Sequence, residues 1–450
     1  MLKAVSKCYK AVAVMALFSF ALLFSSCSGD DYINAIPQSS TLLMSTNPAK
    51  LTGTGSQHLL KSLLKVSDID KSGIDFSANV YFFEDARYNI GLCAKVSDDD
   101  KLADMLQQAG CRVEKRRGFR FALLPGNWII GFSDVSVLMM GPVVPAAQND
   151  MKVQMAQYLK QDEDEGIKGT PLMERLQTID APMALVCQAQ ALPEQFVTPF
   201  TVGAPRDADP SDIMIAASME VKNNRLIIKG QTFSFKKQIE AALQNAQKTY
   251  RPIKGDYVKS MSANDAMGLF MNVDGKNFHK LIRQNKGISG MLTGINTAID
   301  MDNIIKSIDG DMALTASGFG KGSLQMTMAA KLGNANWLKD VSYWKQSVPQ
   351  GGHIGDWGKN CFYYTGNQTA YYFGVTGDMQ YMSGGSREAA LRSICPSKQP
   401  LSSDIQQLIT GEKLVMLINF GSLQDEKAQA VTAMLKPLFG NLNTIIYMMK

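Results

Sequence analysis

The side chains that most often do chemistry are scattered in this sequence, and their spacing excludes most of what they do elsewhere. Histidine occurs three times, as His58, His279 and His353. No two are close in sequence, H-E-x-x-H is absent, and no G-x-S-x-G elbow supports a triad. Zinc held by histidine and triad hydrolysis are therefore not expected, and surface or helix-cap roles are. Gly318-Phe319-Gly320-Lys321-Gly322-Ser323 has the composition of a phosphate loop. Its spacing departs from G-x-x-x-x-G-K-[ST] and a strand pattern follows it, so it reads as a hairpin turn. Asp162-Glu163-Asp164-Glu165-Gly166 is rich in carboxylates, but Met173 stands where a calcium loop needs its glutamate. A solvated acidic loop is expected. Asp75 and Asp311 stand at matching places ahead of strand patterns and read as turn or cap residues. No catalytic residue, metal ligand or cofactor is assigned. A hydrolase using carboxylates distant in sequence stays open as an alternative.

Cysteine gives the firmest assignment. Met1–Lys10 is short and basic, and Ala11–Phe24 is an apolar run. That run suits the core of a signal peptide better than a membrane span, which needs about 20 apolar residues. Ser25 and Ser26 then precede Cys27. A thiol behind small residues at the end of such a run resembles a lipobox, with Phe24 departing from the commoner leucine. Residues 1–26 are thus expected to be a lipoprotein signal peptide, Cys27 the lipid attachment site and 27–35 an acidic tether. Each buried CH₂ contributes about 0.8 kcal/mol, so two or more acyl chains anchor a protein stably. Ser28, Asp30 and Asp31 resemble an export signal to the outer membrane and cell surface, with a periplasm-facing anchor as the alternative. Cys93, Cys111, Cys187, Cys361 and Cys395 are odd in number and contain no CxxC. They read as small buried hydrophobes.

The elements that carry these residues are written twice. Leu42-Leu43-Met44-Ser45 resembles Gly268-Leu269-Phe270-Met271. Asp75–Leu106 aligns without a gap on Asp311–Ser342, as a hairpin leading into a helix. Phe119, Phe121, Trp128 and Gly131 then correspond to Phe362, Tyr364, Tyr371 and Gly374, and a further strand pair closes each copy. The expected fold is α+β: two tandem copies of a mainly antiparallel sheet unit with helices packed on one face. The copies span 36–250 and 261–450, joined by a linker at 251–260. Lys450 aligns with Ser218 in mid-strand, so the second copy is expected to stop short and leave an unpaired strand edge.

The aromatic run supplies the binding candidate. Trp357, Phe362, Tyr363, Tyr364, Tyr371, Tyr372, Phe373 and Tyr381 crowd one hairpin. Strand side chains alternate faces. Phe362, Tyr364 and Tyr371, aromatic in both copies, are expected in the core. Tyr363 and Tyr372 then face the other way, where tyrosines can stack on a sugar ring or a protein. Their counterparts in the alignment are Arg120 and Ile129. Lys115-Arg116-Arg117 with Arg120 forms a basic hairpin tip and reads as a solvated turn. The 26 methionines include Met139, Met140, Met326, Met328, Met448 and Met449 in strand patterns, which reads as adaptable core packing.

Composition bounds the class. Hydrophobic residues are 45% and charged residues 19%, as in globular proteins. Removing Lys3, Lys7 and Lys10 from the 46 basic residues leaves 43 against 41 acidic, a net of +2. That balance gives no reason to expect a nucleic-acid partner. The lipobox, the acidic pair, Tyr32-Ile33-Asn34-Ala35-Ile36-Pro37 and Leu42-Leu43-Met44-Ser45 resemble a set of surface lipoproteins of unknown function from gut and oral Bacteroidetes. The resemblance implies location and fold, and brings no catalytic residue with it. The expectation is a non-enzymatic, lipid-anchored envelope protein that binds a glycan or protein ligand. A structural envelope scaffold is a further alternative.

Overall fold

The structure is a computed structural model. It describes residues 29–48, 72–192, 197, 200–285, 288–290, 292, 299–318, 326–366, 369–422 and 441–450. The fold is α+β. Contacts divide the chain into two compact units between Glu174 and Arg175, a boundary different from the 251–260 division read from the sequence.

The first unit is an antiparallel sheet. Its strands are β1 (Leu42–Thr46), β2 (Val80–Glu84), β3 (Ile90–Lys95), β4 (Glu114–Arg116), β5 (Phe119–Leu124), β6 (Trp128–Phe132) and β7 (Ser136–Met140). They lie in the order β1-β2-β3-β7-β6-β5-β4. Arg117 and Gly118 both take positive φ, as the tight turn joining β4 to β5 requires. Helix α1 (Asp99–Gln108) starts where the Asp98 carboxylate accepts from the Lys101 N–H at 3.0 Å. Helix α2 (Gln148–Lys160) buries Met151, Met155, Ala156 and Leu159, one stripe at helical spacing. Gly131 makes room on β6 for Phe121 and Met155, since a Cβ there would lie 2.5 Å from the Phe121 ring. Helix α3 (Pro171–Gln177) follows and carries the boundary between the units.

The second unit holds β8 (Met183–Gln188), β9 (Met214–Lys222), β10 (Arg225–Phe233), β11 (Tyr250–Arg251), β12 (Met267–Asp274), β13 (Ile308–Ala316) and β14 (Met326–Leu332). It continues with β15 (His353–Gly358), β16 (Cys361–Gly366), β17 (Thr369–Val375), β18 (Gln380–Gly384), β19 (Leu414–Asn419) and β20 (Thr444–Met449). The order is β8-β9-β10-β20-β19-β12-β13-β14-β18-β17-β16-β15, with β11 on the far end of β12. Its helices include α4 (Lys237–Gln247), α5 (Gly275–Gln284), α6 (Met301–Lys306), α7 (Val341–Ser347), α8 (Arg387–Ser393) and α9 (Ser403–Ile409). Neighbouring residues of one strand enter different cores. Met271, Met312 and Ala330 join Trp337 and Phe373, whereas Phe270, Ala313 and Ala329 join Val415 and Ile446. The central strands are thus buried on both faces, which is why they read as near-continuous apolar runs.

From β12 onward the order β12-β13-β14-β18-β17-β16-β15 matches β1-β2-β3-β7-β6-β5-β4 strand for strand. The gapless alignment of 75–106 on 311–342 is corrected in one strand. It sets β3 on β14, but it sets β2 on 316–320, past all but the last residue of β13, because the connection at 317–325 is longer than that at 85–89. Three other expectations are also corrected. The bare edge expected at β20 is absent, because β10 pairs with it in parallel from Arg225 opposite Thr444 to Gly230 opposite Met449. The 3₁₀ segment Asp31–Ala35, expected in the tether, buries Tyr32, Ile33, Asn34 and Ala35 and packs on β3 and β7, and the Cys93 thiol donates to the Tyr32 carbonyl at 3.3 Å. The linker at 251–260 is likewise structural: Ile253, Tyr257 and Val258 belong to a core.

Candidate functional site

One face of the β15–β16–β17 sheet carries a continuous aromatic strip. Gly355 lies opposite Tyr363, and Tyr363 opposite Tyr372. The two tyrosine rings are stacked, 5.7 Å between centroids and 28° between planes. His353 lies 5.8 Å from Tyr363, and Trp357 lies 6.4 Å from Tyr372. The Arg387 guanidinium sits over the Trp357 ring at 5.3 Å. The Trp357 indole N–H donates to the Phe362 carbonyl at 2.7 Å, which fixes the ring. Gly355 is needed here, since a Cβ would lie 2.5 Å from the Tyr363 ring and hydroxyl. Tyr363, Tyr372 and Trp357 are half-buried, and His353 and Arg387 are exposed. Phe362 and Phe373 point to the opposite side and enter the core around Trp337, with Tyr364 and Tyr371 packed against it. There the Tyr371 and Tyr381 hydroxyls meet at 2.9 Å, and burial pushes both phenols up.

The strip is open because of what covers its sheet. Helix α8 closes over β18 at Gly384, where a Cβ would lie 2.8 Å from that of Ala389. It packs mainly on β18, β14 and β17, and its seven residues span about 10 Å at 1.5 Å per residue. In the first unit α2 has 13 residues, spans about 20 Å, and covers β7, β6 and β5. The alignment of Tyr363 with Arg120 is corrected by the pairing. If Ile129 matches Tyr372, the counterpart of Tyr363 is Leu123, which lies opposite Ile129.

A second site had no signal in the local sequence pattern. Within the second unit a cavity of about 190 Å³ lies against β12, β19 and β20 on one side and α4 and α5 on the other. Met267, Leu269, Met271, Leu414 and Met416 line the sheet side. Leu243, Ala246, Phe278 and Ile282 line the helix side, and no charged residue lines it among the described residues. The Tyr250 and Tyr447 rings also line it. Burial pushes the Tyr250 phenol up to about 12 and the Tyr447 phenol up further, with no hydrogen bond acting on either. Met449, expected only to fill core, is part of this wall.

The other sequence candidates separate. Cys27 and Ser28 lie outside the described residues, as do His58 and most of the 318–323 loop. Asp30 and Asp31 are exposed, and Asp31 lies 3.8 Å from the Lys168 ammonium. Arg120 is not a free cation of the hairpin tip, since it donates to the Asp99 carbonyl and the Asp100 carboxylate at the start of α1. His279 is no surface or cap residue: it sits between α5 and α6, 3.1 Å from Asp302, whose carboxylate Arg283 also holds. Burial lowers the His279 imidazole from its ordinary value. Asp75 caps a turn through the Ser77 N–H at 3.0 Å. Asp311 is instead buried within β13 and accepts from the N–H groups of Lys254, Gly255 and Asp256 at 3.0, 2.7 and 3.0 Å. Cys93, Cys187 and Cys361 are buried and in no disulfide, whereas Cys395 is exposed, contrary to a buried role for all five. Among the described residues no three His, Cys, Asp or Glu side chains gather as a metal site, and no helix is long and apolar enough to cross a membrane.

The fold and these two sites define an α+β protein with an aromatic sheet face and an apolar cavity. Residues 45–393 match the family described as a domain of unknown function, DUF4836, and the chain belongs to that family. No curated protein matches it. Among solved structures it is similar to crystal form IV of TP0453, at 11% identity and a TM-score of 0.29, over 44% of this chain and 78% of that one. Crystal form I of the same protein aligns at 11% identity and a TM-score of 0.25, over 84% and 98%. At such TM-scores these likenesses carry no argument here.

Proposed function

We propose that this chain is a lipid-anchored protein of the bacterial outer membrane, of the Bacteroidetes surface type, that binds a glycan on its aromatic strip. The anchor is the lipid expected on Cys27, behind the small residues Ser25 and Ser26 and ahead of Ser28, Asp30 and Asp31. The body that it carries is a duplicated sheet unit, a reading supported by the matching strand orders. One observation carries the binding assignment: Tyr363 and Tyr372 are stacked and half-buried beyond the edge of α8, which covers the β18 side of the same sheet face. Rings presented in this way offer flat apolar faces to a sugar while their hydroxyls stay available for hydrogen bonds. The role is binding, with no chemical step assigned.

A glycan array probed with the full chain tests this reading. Binding is expected, and the Tyr363→Ala/Tyr372→Ala double variant should lose it while its melting temperature stays near that of the parent. Undiminished glycan binding by the double variant would refute the site. A pull-down that captures only protein, through these same tyrosines, would replace the glycan by a protein ligand. Radiolabelled palmitate should enter the parent and not Cys27→Ser, and label in both would refute the anchor.

A further inference from the structure

The apolar cavity of the second unit is independent of the aromatic strip and of the anchor. Its walls combine two features that ordinary core packing does not. Methionine recurs around it, at Met267, Met271, Met416 and Met449, and an unbranched thioether side chain adapts its shape to a guest. Four residues with hydrogen-bonding side chains, Tyr250, Tyr447, Thr232 and Gln247, are also among those that line it. Tyr447 is 7% exposed, and no described residue hydrogen-bonds its hydroxyl. Apolar walls with a few convergent hydrogen-bonding groups and no charge are the signature of a site for an apolar body with one neutral polar group. Size narrows the class further: an apolar cavity of about 150 Å³ takes a six-carbon guest, and this one is about 190 Å³.

We propose that this cavity binds a medium-length alkyl chain carrying an uncharged hydrogen-bonding head, the chemistry of a monoacylglycerol. The methionine-lined wall takes the chain. The tyrosine hydroxyls donate to an ester or alcohol oxygen of the head. A carboxylate is disfavoured, because no cation stands among the lining residues to offset its desolvation.

Isothermal titration of the full chain with 1-octanoylglycerol and with octanoate tests both parts. The Cys27→Ser chain serves as host, so that no acyl group of its own competes. The glyceride should bind at least tenfold more tightly than octanoate at pH 7.4. Met416→Trp, which fills the space, should abolish binding while circular dichroism stays unchanged. If that variant does not fold, the smaller Leu414→Phe should weaken binding at least tenfold. Tyr250→Phe/Tyr447→Phe should weaken the glyceride about tenfold and leave octanoate unchanged. No glyceride binding at 1 mM, as when a segment of this chain fills the space, would overturn the proposal. Equal affinity for octanoate, or affinity unaltered by both filling variants, would overturn it as well.

Discussion

The two seven-strand sets, β1–β7 and β12–β18, share a strand order and differ in what lies over them. In the first, α2 runs 13 residues across β7, β6 and β5 and Ile129, the counterpart of Tyr372, is buried with Phe121 and Met155, whereas Leu123, the counterpart of Tyr363, is exposed. In the second, α8 runs seven residues, and Tyr363 and Tyr372 stay half-buried beyond it. The sheet sets where a side chain points, and the reach of the covering helix sets whether the β6 and β17 positions, Ile129 and Tyr372, are core or surface. A tyrosine suits the open case, since its ring packs on the sheet while its hydroxyl stays wet. The largest expected effect follows. Phe121→Ala removes a side chain packed against Gly131 and Met155 and should cost about 3–5 kcal/mol of unfolding free energy. Tyr363→Ala removes one cross-strand aromatic contact and should cost about 0.2–1 kcal/mol. Equal losses in urea melts would break the comparison, because Tyr363 would then be core.

The second contrast is between two aspartates matched by the sequence alignment. Asp311 is buried and gathers three backbone N–H groups of 254–256 besides the Asn272 amide. Asp75 holds a turn through Ser77, with Lys95 at 3.4 Å. Asp311→Ala leaves several part-buried donors unmatched and should cost about 1–3 kcal/mol. Asp75→Ala should cost about 0.5–1 kcal/mol, the net worth of one exposed hydrogen bond. A Tyr257 environment unchanged in Asp311→Ala, read from near-ultraviolet circular dichroism, would show that the carboxylate does not organise that segment.

Local pattern made much of this legible. The period-two runs at Phe119–Leu124 and Cys361–Gly366 are strands, and the faces of Phe362 and Tyr363 follow from alternation alone. Register across a hairpin was not legible. Pairing depends on where each turn closes, so similarity in sequence assigned Arg120 where the hydrogen bonds assign Leu123. The cavity was hidden for another reason. Thr232, Met267, Leu414 and Tyr447 are brought together by non-local pairing, including the parallel β10–β20 contact, which no window of sequence contains. The length of the covering helix was written in the stripe of Met151, Met155 and Leu159, but its consequence depends on the sheet beneath.

The smallest expected effect concerns the short helix that follows the covering helix in each set. In the first, Thr170 precedes α3 and its hydroxyl accepts from the Met173 N–H at 3.3 Å, a neutral cap. In the second, α9 carries Asp404, exposed and held by Ser402 and by the Arg225 guanidinium of β10, which lower its carboxyl from 3.8 to about 2. A carboxylate depressed in the folded state adds stability above the ordinary value, and that contribution is lost as pH falls through the folded value. Asp404→Asn should therefore melt slightly below the parent above pH 4, with the gap closing between pH 4 and pH 2. Raising the salt at pH 7 should shrink the same gap, because the pair is exposed and screened. Thr170→Ala should melt lower by an amount that neither pH nor salt changes, since no charge is involved. A pH-independent gap for Asp404→Asn would mean that the charge of Asp404 plays no part in seating α9.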